Sequence, residues 1–430
     1  MSTISILIIL SLVVAIILGF IQKVNTGLYA IAFAFIIGIF VMEKSANNII
    51  ALWPTRLFFQ MFCITFFYGF QRQNGSLEAL AKRIVYASRK VPYLIPLALL
   101  LACAIVAGLG PGTLVSLLIL PPIIMSISEL SNIKPIYAVI LFTSGIDLGA
   151  WSPITVNASL IRTLLETAGY TAAQANALIN PIWFNVAVAK FLVALIGYFV
   201  FKGYKATAEG LEKPEPLTRQ QKTTLLIIAA FVLCLVLPSI IHLLTGSPFF
   251  GRLRNQIDIT YLAILLSILC IVLKLGDEKK SIALVPWPTI IMICGVGTLI
   301  AVATEAGAVQ ELSDLLSTNI STGVIPYFIL LIAGFMSFFS STTGVVLPTM
   351  FPICTNIVVA TGISASTLLS LVVIGSTTTG LSPFSTGGAM GLVALGDDEK
   401  AKQKVFYGLF GVIGAAMVMM FILLAIGLVV

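Results

Sequence analysis

Two short segments interrupt apolar stretches of this sequence, and both carry groups that could bind a small charged ligand. The first reads Gly110-Pro111-Gly112-Thr113. Glycine has no side chain to shield its backbone N–H, so a ligand can approach that group closely. The second has four hydroxyls in a row before a glycine, and it reads Ser340-Ser341-Thr342-Thr343-Gly344. Buried hydroxyls need partners, which can be a ligand or the carbonyls of the preceding helical turn.

Two further segments each carry a Ser-Pro pair within an apolar stretch. One runs from Gly145 to Asn157 and the other from Gly375 to Gly388. Serine is a preferred N-cap and proline suits the first helical position, so each pair predicts that one helix stops and another begins. The free N–H groups of the new helix favour an anion, and the carbonyls that end the preceding helix suit a cation.

The elements that position these segments are predicted to be membrane-spanning helices. The chain is 59% hydrophobic and only 10% charged, whereas a soluble domain is roughly 25% charged. Apolar stretches of about 20 residues recur, which is the length that spans a bilayer as a helix. Backbone groups in lipid must be paired internally, so the predicted fold class is an all-α polytopic membrane protein.

The apolar stretch from Val91 to Ile127 is too long for one spanning helix. It would measure about 55 Å at 1.5 Å per residue, against roughly 30 Å of hydrocarbon. Two short helices that meet at a tip around Gly110 fit better. A simple kink or a tight helix crossing is the alternative.

Two charged side chains, Asp147 and Lys190, lie inside the predicted spans. A carboxylate at bilayer depth is costly and usually functional. Asp147 could therefore bind a sodium ion or carry a proton, and the alternatives are a structural pair or a position nearer the water. Lys190 could balance an anionic substrate, pair with Asp147, extend to the surface or lie at a subunit interface.

Basic residues cluster in four connections, and this clustering predicts the orientation. The positive-inside rule places all four clusters in the cytoplasm, which requires both termini to lie outside. The net charge of +7 then reflects cytoplasmic loops, and no nucleic-acid partner is expected. The clusters are Arg72, Lys82, Arg83, Arg89 and Lys90; Lys202, Lys205, Lys213, Arg219 and Lys222; Lys274, Lys279 and Lys280; and Lys400, Lys402 and Lys404.

The two halves of the chain repeat each other's landmarks. The Gly-Pro-Gly-Thr segment is followed by Pro122, and the hydroxyl segment is followed by Pro352. Ser152-Pro153 likewise returns as Ser382-Pro383, and both pairs of landmarks are separated by 230 positions. Each half is predicted to have five spanning helices and a re-entrant hairpin, and an odd number of crossings inverts the second half. Inverted repeats of this kind are typical of secondary transporters.

These landmarks predict a chain of two repeats joined by a polar linker. Each repeat is expected to contain one helical hairpin and one broken helix. The first repeat covers residues 1–201, the cytoplasmic linker 202–222 and the second repeat 223–430. The hairpins are expected at about 91–128 and 324–360, and the broken helices at about 135–168 and 364–396.

Several classes of function are disfavoured by what the sequence lacks. It has no Gly-x-x-x-x-Gly-Lys phosphate loop and no His-Glu-x-x-His or nucleophile-elbow motif. It has one histidine, and its six cysteines lie far apart without a CxxC pair. We therefore expect no enzyme, no resident cofactor and no structural zinc site.

These segments together resemble the ion-transporter superfamily that includes the divalent anion/sodium symporters. The chain is most similar to the MatC-type malonate and C4-dicarboxylate carriers. The resemblance rests on the Gly-Pro-Gly-Thr tip, the Ser-Pro segments at 145–157 and 375–386, and the order of the repeats. It implies a homodimer in which hairpins and broken helices carry substrate and sodium by an elevator motion. Of the family's Ser-Asn-Thr tip motifs, only Thr113, Ser341 and Thr343 carry over.

We predict a secondary active transporter in the cell (inner) membrane that moves a small organic anion, such as malonate or a C4-dicarboxylate, together with a cation. Sodium is the expected coupling ion, and a proton is the alternative. Two competing hypotheses are a cation/proton antiporter that uses Asp147 and the large membrane subunit of a binding-protein-dependent carrier. A membrane enzyme is the remaining class.

The predicted site combines all four interrupted segments around one position in the membrane. The candidates for substrate binding are Gly110, Pro111, Gly112, Thr113, Ser152, Pro153, Thr155, Asn157, Ser341, Thr342, Thr343, Gly344, Ser382, Pro383 and Thr386. The candidates for a sodium site are Asp147, Gly145, Thr113, Thr343, Thr377 and Thr378. We expect the cation to bind on the Asp147 side, because only the first broken helix has a carboxylate.

Overall fold

Helices form every regular element of the residues that the computed structural model describes, which are 2–209, 211–396 and 398–429. The first half contains α1 (Thr3–Gln22), α2 (Thr26–Phe40), α3 (Ala46–Ala51), α4 (Thr55–Gln73), α5 (Ser76–Ala87), α6 (Ile95–Gly108), α7 (Gly112–Leu130), α8 (Pro135–Ala150), α9 (Val156–Thr167) and α10 (Ala172–Val200). The second half contains α11 (Arg219–Thr245), α12 (Pro248–Gln256), α13 (Ile259–Val272), α14 (Glu278–Ala283), α15 (Trp287–Glu305), α16 (Ala308–Asn319), α17 (Ile325–Phe339), α18 (Leu347–Thr361), α19 (Ala365–Thr379), α20 (Thr386–Val393) and α21 (Glu399–Ala425).

Seven of these helices are long and apolar enough to cross a membrane. They are α1, α7, α10, α11, α15, α18 with the turn before it, and α21. Six shorter apolar helices, α2, α6, α8, α13, α17 and α19, accompany them. The all-helical prediction is therefore confirmed. The same order of elements recurs in the two halves, apart from the additional α12, while the inverted relation of the halves and the outward termini stay predictions.

The centre of the fold is formed by α8 and α19, which are buried on nearly all sides. Each packs against the two arms of one hairpin: α8 against α6 and α7, and α19 against α17 and α18. The long helix α10 contacts both α8 and α19. Each interrupted helix thus packs against one hairpin, and α10 links the two groups.

Both helices are interrupted, but the Ser-Pro pairs do not cap the helices that follow. The N-cap of α9 is Thr155 and that of α20 is Ser385, three residues after each predicted cap. Ser152 and Ser382 instead begin β-turns, since their carbonyls accept from the N–H of Thr155 (3.2 Å) and Ser385 (2.9 Å). Serine at the first position and proline at the second suit such a turn as well as they suit a helix start.

The two hairpin tips differ in backbone conformation. Between α6 and α7 the chain turns at Gly110 (φ +129°) and Gly112 (φ +66°), which are conformations that favour glycine. Between α17 and α18 the chain extends at Ser340 and then forms one π-helical turn over Thr342–Val346. Single π turns within helices occur frequently at functional sites.

Glycines on α8 and α19 allow the hairpin arms to approach closely. A Cβ at Gly149 would overlap the carbonyl of Ala104 on α6 and lie 2.8 Å from the backbone nitrogen of Gly108. A Cβ at Gly375 would overlap the carbonyl of Leu330 on α17 in the same way. Gly145, a predicted sodium ligand, has this packing role too, because its Cβ would lie 2.7 Å from Cys103 Cβ.

We expect Gly149→Ala to destabilise the protein, because the obstructing atoms are backbone and cannot rotate away. Overpacking of this kind typically costs about 1–3 kcal/mol. The measurement is the melting midpoint of the detergent-purified protein. Gly411→Ala is the matched control, since it lies within α21 with no atom near its added Cβ. A melting midpoint of Gly149→Ala equal to that of the control would contradict this account of the α6–α8 contact.

Candidate functional site

A small cavity of about 50 Å³ lies where both hairpin tips and both helix breaks meet. It is bounded by the start of α7, the end of α8, the π-helical turn, the end of α19 and the start of α20. The lining residues are Thr113, Leu114, Leu117, Thr143, Ile146, Asp147, Trp151, Ser341, Thr342, Thr343, Thr377, Gly380, Ser385, Thr386 and Gly387. Asp147 is the one charged side chain among these described lining residues.

The first hairpin tip is bound to the start of α9 rather than open to a ligand. Asn157 Nδ2 donates to Thr113 Oγ1 at 2.7 Å, and Asn157 Oδ1 accepts from the Thr113 N–H at 3.4 Å. The N–H of Val156 donates to the Gly110 carbonyl at 3.1 Å. A Cβ at Gly112 would lie 2.7 Å from Asn157 Oδ1. The N-terminus of α9, predicted to bind an anion, therefore holds the tip, and Asn157 positions Thr113.

The start of α20 is different, because its first residues line the cavity and their N–H groups are free. Thr386 and Gly387 both line the cavity, and their N–H groups form no hydrogen bond with the described part of the chain. The N-cap Ser385 donates its hydroxyl to the Ser340 carbonyl at 3.2 Å and makes no side-chain cap. An uncapped helix N-terminus with free N–H groups favours an anion.

The hydroxyls of the second hairpin tip are mostly bonded within the protein. Ser340 Oγ donates to the Met336 carbonyl at 2.6 Å, and Ser341 Oγ accepts from the Gly344 N–H at 3.1 Å. Thr342 Oγ1 donates to the Ser376 carbonyl at 3.2 Å, which ties the tip to α19. Thr343 lines the cavity, and its hydroxyl has no hydrogen-bond partner within residues 2–209, 211–396 and 398–429. Thr343 is therefore the tip hydroxyl that makes no hydrogen bond with the described part of the chain and can bind a ligand.

Asp147 forms an ion pair with Lys190 of α10. The Lys190 Nζ and Asp147 Oδ2 atoms are 3.1 Å apart, and the residues are 1% and 7% exposed. Among the alternatives left open by the sequence, the structure thus selects pairing for Lys190. Asp147 retains one face toward the cavity, while Lys190 lies behind it and is not a lining residue.

A tyrosine of α4 holds the first hairpin tip from the opposite side. Tyr68 Oη donates to the Leu109 carbonyl at 2.6 Å. A Cβ at Gly110 would lie 3.1 Å from Tyr68 Cζ and 3.2 Å from Phe231 Cε1 of α11. The tip is therefore enclosed between α9 on one side and α4 and α11 on the other.

Comparison with known proteins shows what this chain is similar to. Residues 1–150 match the family model described as the N-terminus of the dicarboxylate carrier protein MatC. The predicted resemblance is confirmed. The fold is similar to the crystal structure of the Alcanivorax borkumensis YdaH transporter, with a TM-score of 0.56 and 13% identity over 90% of this chain and 88% of that one. Among curated proteins, none matches this sequence.

The seven long apolar helices and these two similarities indicate an integral membrane protein. Seven of its predicted site residues line the cavity: Thr113, Asp147, Ser341, Thr342, Thr343, Thr377 and Thr386. The other predicted site residues lie behind the lining or in the adjoining turns: Gly110, Pro111, Gly112, Gly145, Ser152, Pro153, Thr155, Asn157, Gly344, Thr378, Ser382 and Pro383. Thr378 is completely buried and donates its hydroxyl to the Ile374 carbonyl at 2.7 Å.

Sequence reasoning missed several lining residues, of which Thr143 could have been found. Thr143 lies four residues before Asp147 on α8, and this spacing places two side chains on the same helix face. Ile146, Trp151 and Leu117 are apolar residues in an apolar chain, and nothing in the sequence separates them from the core. Ser385 lies within the second interrupted segment, where the Ser-Pro pair predicts the cap at Ser382, whereas the structure has Ser385 as the cap.

Proposed function

We propose that this protein is a secondary active transporter that moves a small dicarboxylate together with a cation. The observation that carries the proposal is the cavity at the meeting point of two hairpin tips and two helix breaks. Discontinuous helices of this kind hold substrates and coupling ions in secondary transporters. The match to a family named after a dicarboxylate carrier supports the choice of substrate class.

The lining of the cavity offers groups for both charges. The free N–H groups of Thr386 and Gly387 and the open hydroxyl of Thr343 can donate to a carboxylate. The Asp147 carboxylate suits a cation. The lining residues include no arginine or lysine, so recognition of the anion rests on neutral donors and on the coupling ion. This division matches a carrier whose anion and cation bind next to each other.

The size of the cavity favours a compact substrate. Its volume of about 50 Å³ corresponds to roughly three to five water positions at about 10–15 Å³ each. Malonate and the C4-dicarboxylates are closer to this size than citrate is. We therefore propose sodium-coupled symport of a three- or four-carbon dicarboxylate.

The proposed mechanism is an elevator motion within a homodimer, as the family resemblance implies. Its support is the grouping of the hairpins, the broken helices and α10 into one packed unit. This unit touches other helices at its tips, Leu109 against Tyr68 of α4 and Gly344 against Met292 of α15. Its hairpin arms also pack against α5 and α16, which join the unit to the rest of the chain.

Uptake into proteoliposomes tests the proposal. Radiolabelled malonate, succinate and fumarate are offered with an inward sodium gradient, with a proton gradient and with neither. We expect uptake of at least one of them that depends on sodium and is competed by the unlabelled compound. Absence of uptake of every dicarboxylate under both gradients would overturn the proposal.

An antiporter that exchanges a cation for protons is the second candidate, favoured by the buried Asp147–Lys190 pair. The same proteoliposomes discriminate it with a pH-sensitive dye inside. Antiport predicts that added sodium dissipates a pH gradient without any organic anion. Symport predicts that the dicarboxylate is required for cation movement.

Substitution of Thr343 by valine is expected to weaken substrate binding about 10- to 100-fold. A hydrogen bond to a charged group contributes about 1.5–3 kcal/mol, and valine removes the hydroxyl while keeping the shape. The measurement is the concentration dependence of uptake. Thr378→Val is the matched control, because its hydroxyl is fully buried and bonded to Ile374. Equal effects of the two substitutions would show that Thr343 does not bind the substrate.

A further inference from the structure

The carboxylate proposed to bind the coupling ion already has a cation beside it. Lys190 Nζ lies 3.1 Å from Asp147 Oδ2, and the side chains are 2% and 10% exposed. Each charge comes from a different helix, Asp147 from α8 and Lys190 from α10. A sodium ion that approaches Asp147 from the cavity therefore meets a carboxylate that is already neutralised from behind.

Neither charge has another strong partner in the described chain. Among the described residues, Lys190 is the one cationic partner of Asp147 and Asp147 the one anionic partner of Lys190, and the uncharged Trp151 indole N–H is the other donor beside this carboxylate. A buried charge without a partner costs several kcal/mol. Asp147 consequently requires a cation at all times, and Lys190 supplies it when the cavity is empty.

The pair is not needed to join the two helices. Trp183 Nε1 of α10 donates to the Leu148 carbonyl of α8 at 2.8 Å. Tyr137 Oη of α8 donates to the Ala194 carbonyl of α10 at 3.1 Å. These two bonds lie on either side of the pair along α10, so a purely structural role for two buried charges would add little to an existing contact.

We infer that Lys190 is a tethered cation that occupies Asp147 in the empty transporter and competes with the coupling ion for it. This inference rests on the proposed function, because it takes Asp147 as the ion site. When sodium binds, two cations share one carboxylate and repel each other. Lys190 therefore lowers the affinity for sodium, which allows the ion to leave again after transport.

Sodium binding to the full chain in detergent, without any organic anion, tests the inference. Radioactive sodium binding and the sodium-dependent rise in melting midpoint are measured, since a ligand of the folded state stabilises it by mass action. We expect Lys190→Met to bind sodium at least tenfold more tightly than the wild type. Lys190→Arg keeps the charge and should retain the wild-type affinity. Asp147→Asn/Lys190→Met should show no response to sodium.

The control is Lys402→Met, which removes a lysine from an exposed pair with Glu399 on α21 at 2.7 Å. It should bind sodium as the wild type does. If Lys190→Met does not fold, Lys190→Gln takes its place with the same expectation. The inference is overturned if removal of the ammonium leaves sodium affinity unchanged or lowers it, if the double variant still responds, or if no variant binds sodium.

Failure of the inference and failure of the proposed function give different results. The binding measurement contains no dicarboxylate, so its outcome does not depend on the identity of the substrate. An unchanged sodium affinity in Lys190→Met would show that Lys190 does not compete with sodium. Dicarboxylate uptake by the wild type would be unaffected by that result. A tighter affinity without any dicarboxylate uptake would support the tethered cation and overturn the symport proposal.

Discussion

Replacement of Gly110 by alanine is expected to abolish measurable substrate uptake. The residue has a φ of +129°, which an alanine adopts only at a cost of about 1–3 kcal/mol. Its new Cβ would also press on Tyr68 and Phe231, and overpacking adds about 1–3 kcal/mol. The Leu109 carbonyl accepts a hydrogen bond from Tyr68, and the Gly110 carbonyl accepts one from the Val156 N–H. A displaced tip would therefore move Thr113 away from the cavity.

Two further variants separate strain from obstruction at this tip. Gly169 has a similar φ of +93°, but nothing lies within 4 Å of an added Cβ, so Gly169→Ala measures the backbone cost alone. Tyr68→Phe removes the obstructing hydroxyl, and we expect it to recover part of the stability lost in Gly110→Ala. Neighbouring residues couple in this way when they share a contact. Wild-type uptake by Gly110→Ala would show that the position of the tip is unimportant.

The helices and their interruptions could be predicted from the sequence because they follow from local chemistry. Apolar length identifies spanning helices, and Gly110 and Gly112 mark a tip because few other residues adopt their φ. The Ser-Pro pairs located both breaks but misplaced the caps by three residues. Ser152 is compatible with either a turn or a cap, and the choice depends on whether its carbonyl accepts from Thr155.

The roles of individual polar groups could not be predicted, since they depend on contacts between distant segments. Asn157 and Thr155 belong to a helix N-terminus that looks available to an anion in the sequence. In the structure, the first hairpin tip occupies that N-terminus, because Asn157 bonds to Thr113, which lies 44 residues away in the chain. Thr343 and Thr378 are likewise equivalent hydroxyls in the sequence, and only their positions relative to the cavity distinguish them.

The pairing of Asp147 with Lys190 is the clearest example of this limit. Both charges stand out in an apolar chain, and the sequence allows several partners for each. Their contact depends on the packing of α8 against α10, which no local pattern specifies. Once the contact is known, the expected chemistry of the site changes. The negative charge of Asp147 is already balanced by Lys190 before any ion binds.

Asp147→Asn is expected to be the most damaging single substitution in the protein. It leaves Lys190 as a buried charge without its partner, and breaking a buried pair in this way costs about 3–5 kcal/mol. It also removes the proposed cation ligand, so coupled uptake should be lost. The melting midpoint and the uptake rate are measured together. Glu166→Gln is the control, because its pair with Arg56 is partly exposed and should contribute no more than about 1 kcal/mol.

Addition of Lys190→Met to Asp147→Asn separates the two losses. The double variant has no buried charge at this position, so its melting midpoint should return most of the way to the wild-type value, whereas its coupled uptake should remain absent. A single Asp147→Asn variant as stable as the wild type would show that Lys190 does not depend on Asp147. Restored uptake in the double variant would show that the carboxylate serves the fold and that the coupling ion binds elsewhere.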